Sequence, residues 1–138
     1  MLLVCGACST GTDTQFSLWE ASLEPIPPST ISGDAAGVTQ FGRSEISLGI
    51  REGAPGALYG WRINSGDCQT EGVLQGGVAA YPLLEADEAG RASGDALLSS
   101  KFRPGNSYAV RVYQSDQSGS QGEVLACGVL EEITSSSG

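Results

Sequence analysis

The chain of 138 residues contains no histidine and only one lysine, Lys101. Without an imidazole, neither a Ser/His nor a Cys/His pair can form, which removes most common designs of nucleophilic active site. A single lysine argues against a polybasic patch for an acidic membrane surface. No run of apolar residues approaches the roughly 18 that a membrane-spanning helix requires. The sequence therefore lacks the side chains on which many enzymes and membrane-binding segments depend.

The composition that remains favours one small, acidic, β-rich domain. Sixteen acidic and seven basic residues give a formal net charge of −9, which repels phosphate backbones and argues against nucleic-acid binding. Twenty glycines and six prolines indicate frequent turns and short strands rather than long helices. The length suits a single domain with one modest core.

Alternating apolar and polar residues predict seven or eight short strands. The pattern is clear at Ile46, Leu48 and Ile50, which alternate with polar or small residues and should share one buried face. Residues 65–90 are expected to form a long loop. Short strands separated by glycine-rich turns predict an all-β fold, an antiparallel Greek-key β-sandwich or flattened barrel. The predicted strands are 16–24, 34–41, 43–52, 57–64, 91–99, 106–114 and 124–130.

The first 15 residues are interpreted as a signal remnant and tether. Gly6 and Ala7 directly precede Cys8, an arrangement typical of bacterial lipoprotein signals in which the cysteine becomes the lipid-bearing N-terminus. A redox pair of Cys5 with Cys8, or an inert tail, are the alternatives. The expected organisation is a tether over residues 1–15, a β-sandwich over 16–134 and a disordered tail over 135–138.

Two segments carry a resemblance to a known family. Gly56-Ala-Leu-Tyr-Gly-Trp-Arg-Ile-Asn64, followed by Cys68, and Leu125-Ala-Cys-Gly-Val-Leu130 resemble signature stretches of the Cu/Zn superoxide dismutase-like superfamily. The likeness extends over roughly residues 17–132, and Gly60–Cys68 is similar to a divergent bacterial branch that is secreted or lipid-anchored. The resemblance implies a superoxide dismutase-like sandwich with a disulfide between Cys68 and Cys127, and hence an oxidising compartment.

The chain departs from that family at the positions that carry its chemistry. Arg62 and Asn64 stand where two copper-binding histidines are expected, and Tyr113 stands at a third. Val124 replaces the arginine that guides anions. Copper cycling at such a site depends on imidazole ligands, and a guanidinium has no lone pair to offer. The resemblance therefore implies the fold without the dismutase reaction, and no copper or zinc cofactor is expected.

The residues that replace the ligands suggest one candidate site. In the topology implied by the resemblance, Arg62, Asn64, Arg111 and Tyr113 lie on neighbouring strands with matching parity. They are predicted to form a polar, mildly basic patch that takes an anionic or carbohydrate ligand. The alternative is an ordinary polar outer face of the sheet. A separate group of carboxylates around Gly90 is interpreted as a solvated acidic turn rather than a Ca²⁺ site.

The expected function is a non-catalytic, extracytoplasmic superoxide dismutase-like domain that acts as a lipid-anchored binding or envelope-structural module. Its partner would be a protein or another envelope component, with the membrane reached only through a lipid anchor at Cys8. A metal-handling protein or enzyme with a re-purposed site is one alternative. A self-assembling subunit that pairs through exposed strand edges, giving a homo-oligomer, is another.

Overall fold

The computed structural model describes residues 16–133 and shows an all-β protein. Within this range the one helical element is a 3-10 turn at Val78–Ala80. No helix among the described residues has the length and apolar character needed to cross a membrane. The strands are β1 (Phe16–Pro25), β2 (Ser32–Gln40), β3 (Arg43–Arg51), β4 (Leu58–Gly66), β5 (Glu71–Leu74), β6 (Leu84–Glu85), β7 (Ala92–Leu98), β8 (Tyr108–Gln114) and β9 (Val124–Ile133).

Eight of these strands form one antiparallel sheet in the order β5-β4-β8-β9-β1-β2-β3-β7, and β6 pairs with β4. The sheet is strongly curled into a half-barrel. The predicted all-β antiparallel fold is confirmed at this level. Between β2 and β3, Phe41 and Gly42 both have positive φ, of 56° and 75°, which is the backbone geometry of a tight two-residue hairpin turn.

The curl encloses an apolar core. The predicted alternation in β3 is confirmed, since Ile46, Leu48 and Ile50 are all buried. Trp19 from β1 packs edge-on against Phe102, with ring centroids 5.6 Å apart. Edge-to-face contacts of this kind stabilise a core beyond the area they bury. Strands β4 and β8 contribute to the same core the side chains of Tyr59, Trp61, Ile63, Tyr108, Val110 and Val112.

Strand β9 belongs to two ladders at once. One edge pairs with β8 along most of its length, and the other pairs with β1 at both ends, from Leu18↔Ile133 to Pro25↔Ala126. Between those ends the backbones of β9 and β1 approach closely. A Cβ built on Gly128 would lie 2.3 Å from the carbonyl oxygen of Ser22. Glycine is therefore required where β9 passes β1.

The main correction concerns residues 65–90. This segment was expected to be a long loop, but it contains β5, the 3-10 turn and β6. β5 and β6 both pair with the outer edge of β4, so their structure depends on a neighbouring strand and not on their own short, glycine-containing sequences. The last strand extends to Ile133, beyond the predicted end at residue 130. The predicted tether (1–15) and tail (135–138) lie outside the described residues.

The close approach at Gly128 leads to a testable prediction. Gly128→Ala should lower the free energy of unfolding by about 1–3 kcal/mol, because the new methyl group meets the backbone of β1. Gly49→Ala is the matched control: no atom lies within 4 Å of its added Cβ, so its effect should stay below about 1 kcal/mol. Urea unfolding of both variants measures the difference. Equal effects would show that β9 does not need the glycine.

Candidate functional site

The four predicted site residues share one face of β4 and β8. Arg62 is paired directly with Arg111 across the two strands, Gly60 with Tyr113, and Asn64 with Ala109. Alternate residues of both strands point into the core, so these side chains project from the opposite face. The expected neighbouring strands and matching parity are both observed. Arg62, Asn64, Arg111 and Tyr113 are called the polar cluster below.

The polar cluster is mostly closed to solvent. Arg111 is only 6% exposed, Asn64 and Tyr113 are also buried, and Arg62 is half-buried. An ordinary outer sheet face would expose such side chains to water. Here the chain after β4 folds back over them: the Asn64 amide donates to the Gly72 carbonyl, at 3.2 Å. The cluster is therefore a covered polar layer with Arg62 as its most accessible member.

Arg62 and Tyr113 form the accessible side of the cluster. The Arg62 Nε donates to the Tyr113 hydroxyl at 2.7 Å, and the guanidinium carbon lies 5.3 Å from the centre of the Tyr113 ring. The ring lies against Gly60, where a Cβ would come within 2.5 Å of its edge. The missing side chain at position 60 thus lets the tyrosine lie on the strand, and the ring face attracts the cation above it.

Arg111 and a disulfide hold the same loop against the sheet. The Arg111 guanidinium donates through Nη2 to the backbone carbonyl of Asp67. The next residue, Cys68, forms a disulfide with Cys127, which is the direct partner of Arg111 on β9. The two cysteines are 59 residues apart, and a cross-link that closes a loop of that length stabilises the fold by about 4 kcal/mol in the chain-entropy model. The bond also indicates an oxidising environment.

The polar cluster contains two cations, Arg62 and Arg111, and neither forms an ion pair with a carboxylate of the described residues. Asp67 offers Arg111 only its carbonyl, since its carboxylate accepts hydrogen bonds from the backbone of Gln69 and Thr70. Within residues 16–133 the single ion pair joins Arg51 to Asp34, far along the sheet. Two opposed guanidinium groups repel metal cations and attract anions.

Two buried polar atoms of the cluster find no hydrogen-bond partner among the described residues. They are Nη1 of Arg111, a donor, and Oδ1 of Asn64, an acceptor. A buried donor without a partner costs about 1–3 kcal/mol. The polar cluster therefore has one hydrogen-bond donor and one acceptor that the described residues leave unpaired.

Two carboxylates of the acidic turn around Gly90 accept hydrogen bonds from within the chain. The part of the chain that the structure describes contains no group of three or more His, Cys, Asp or Glu side chains placed to hold a metal. The Asp87 carboxylate accepts hydrogen bonds from the backbone N–H of Arg91 and Ala89, and these keep the pKa of Asp87 below its usual value. Asp95 instead accepts from the Ser47 hydroxyl.

The sequence did not predict the contribution of Asp67 or Gly60. Asp67 acts through its backbone carbonyl, for which no side-chain signal exists, and Gly60 acts by having no side chain at all. The candidate lipidation site, Cys8, lies outside the described residues. Comparison of the chain with models of known protein families and with curated proteins finds no match.

The burial of Arg111 predicts an unusual response to mutation. In Arg111→Met, loss of the hydrogen bond to Asp67 and loss of the unpartnered donor should offset each other, leaving unfolding free energy within about 1 kcal/mol of wild type. Arg111→Ala, the control that leaves a cavity, should lose about 2–5 kcal/mol. Denaturant unfolding at neutral pH separates them. A Met variant as unstable as the Ala variant would mean that the guanidinium is fully satisfied.

Proposed function

We propose that the chain is a non-catalytic, extracytoplasmic superoxide dismutase-like domain that works as a binding or envelope-structural module. The observation that carries this proposal is the pairing of Arg62 with Arg111 on the face where the resemblance expects copper ligands. A metal ion is repelled by both guanidinium groups, and neither can coordinate it. The position suits an anionic group instead.

The strand order supports the finer description of the fold. In a Greek key, a late strand returns to lie beside the first of three consecutive hairpin strands. Here β9 lies beside β1, followed by β2 and β3. The curled sheet also brings the β4–β8 half and the β1–β3 half around one core. A superoxide dismutase-like sandwich or flattened barrel accounts for this arrangement.

The proposed location is outside the cytoplasm, with a lipid anchor at Cys8. The Cys68–Cys127 disulfide supports an oxidising compartment. Small residues before Cys8 support cleavage and lipidation there. Intact mass of the protein from its native host tests this part directly: a diacylglyceryl adduct on a chain starting at Cys8 supports the anchor, and an unmodified Cys8 contradicts it.

Within this proposal the polar cluster is an anion-binding site. A phosphate, sulfate or carboxylate group has acceptor oxygens that match planar guanidinium donors. Arg62 gives access from solvent, and Nη1 of the buried Arg111 supplies a donor that no described residue uses. Entry of an anion as far as Arg111 requires the segment after β4 to move, because Asp67 and Cys68 lie over it.

The decisive experiment measures metal and activity together. Protein purified without chelator should contain less than stoichiometric copper and zinc by elemental analysis, and should show no superoxide dismutation above buffer. Stoichiometric copper or measurable dismutation would favour the metal-handling alternative.

A second experiment tests the polar cluster: wild type, Arg62→Ala and Arg111→Ala are screened on an array of anionic and carbohydrate ligands. Unchanged binding profiles in both variants would remove the polar cluster from the proposal.

A further inference from the structure

The outer face of the other half of the sheet carries exposed apolar side chains at one end. In the register of the ladders, Ile133 on β9 is opposite Leu18 on β1, which is opposite Val38 on β2. Leu97 on β7 lies in the same row two strands further on, and it is 58% exposed. These four residues, of which Leu18 is half-buried, form what is called the apolar row below.

The apolar row lies at the end of a groove. A cavity of about 460 Å³ is lined by Leu18, Val38 and Ile133. It continues into a second cavity of about 730 Å³ on the same face, and the two share the side chains of Glu20, Ala36 and Ser47. The groove is therefore long and shallow, with an apolar end and a floor of small residues.

Acidic side chains border the groove. Glu20 on β1 is directly opposite Glu131 on β9, and Glu45 lies within the apolar row between Val38 and Leu97. Like charges placed directly opposite each other across strands are destabilising. None of these three carboxylates forms an ion pair with a residue of the described range. The groove thus combines apolar surface with acidic side chains that form no ion pair among the described residues. One basic side chain, Arg43, lies at the apolar row, where it lines a small cavity with Val38, Glu45 and Leu97.

We propose that this groove binds a cationic, amphipathic polypeptide segment of a partner protein. The apolar row would take the apolar face of the segment, and Glu20, Glu131 and Glu45 would bind its lysine or arginine side chains. A second copy of this chain is disfavoured, because the same acidic residues would meet each other. An anionic lipid surface is disfavoured for the same reason. The inference rests on the proposed role as a binding module, and it names the surface and the partner.

The dimensions of the face fit a helical segment. From β9 to β7 the apolar row crosses four interstrand gaps, about 19 Å at the usual strand spacing. A helix rises about 1.5 Å per residue, so about 13 residues span the row. The Glu20–Glu131 pair lies two residues along the strands, roughly 7 Å away on the same face. Long basic side chains flanking the apolar face of such a helix can reach it.

The test uses two designed 18-residue amphipathic peptides, one of leucine and lysine and one of leucine and glutamate, each labelled for fluorescence anisotropy. The full chain should bind the lysine peptide at least about tenfold more tightly than the glutamate peptide at low salt. Raising the salt to about 0.5 M should reduce this preference, since exposed charges are screened.

Two pairs of exposed substitutions locate the binding. Val38→Ser with Leu97→Ser should weaken lysine-peptide binding about tenfold, through lost apolar contact. Glu20→Gln with Glu131→Gln should weaken it about fivefold at low salt and little at high salt. The matched controls change exposed residues away from the groove. Val73→Ser is the control for the apolar pair, and Glu71→Gln with Glu88→Gln is the control for the acidic pair. Thermal unfolding of each variant confirms that the fold is retained.

Several results would overturn the inference. They are no binding of the lysine peptide, equal binding of both peptides, or equal weakening by the control variants. Binding of anionic vesicles that depends on Leu97, or a Leu97-dependent dimer in sedimentation, would assign the face to lipid or to a second copy instead. A negative outcome here leaves the metal and dismutation measurements unaffected, so failure of the groove and failure of the proposed function are distinguishable.

Discussion

The rest of the structure depends on how strand β9 is held. Its two edges pair with β8 and β1, which makes it the link between the two halves of the curled sheet. The Cys68–Cys127 disulfide then joins β9 to the chain that leaves β4. Arg111 lies beside Cys127 and donates to the Asp67 carbonyl. Strand β9 therefore joins the two halves of the sheet and also holds the segment that covers the polar cluster. For a small domain such a cross-link is a large share of total stability.

The same arrangement places two guanidinium groups on this face, and these repel a metal cation and attract an anion. Positions that the resemblance assigns to ligands are filled by cations and by amide and hydroxyl groups. Burying Arg111 away from a carboxylate is costly, and a gain in stability does not explain it. The polar cluster lies on β4 and β8, whereas the groove lies across β9, β1, β2, β3 and β7. Binding at one of them does not require binding at the other.

Local patterns predicted much of the fold, and tertiary contacts decided the remainder. Ile46, Leu48 and Ile50 alternate in sequence, so their burial follows from a period of two. The face shared by Arg62, Asn64, Arg111 and Tyr113 followed from parity on two strands. The burial of that face did not, because guanidinium groups are rarely found inside. The residues over Arg111, Asp67 and Cys68, belong to the connection from β4 to β5, and β5 is placed by its pairing with the edge of β4. The groove was likewise invisible, since it requires side chains from five strands that are distant in sequence.

The central claim, that the disulfide on β9 holds the cover over the polar cluster, is tested most directly by hydrogen exchange of the oxidised and reduced protein. On reduction, residues 65–74 should exchange faster, including the Gly66 and Val73 amides, which donate to the Ser107 carbonyl and the Ser65 hydroxyl. The β2–β3 ladder should keep its protection. Unchanged exchange at 65–74, or loss of protection in β2–β3 to the same extent, would contradict the claim.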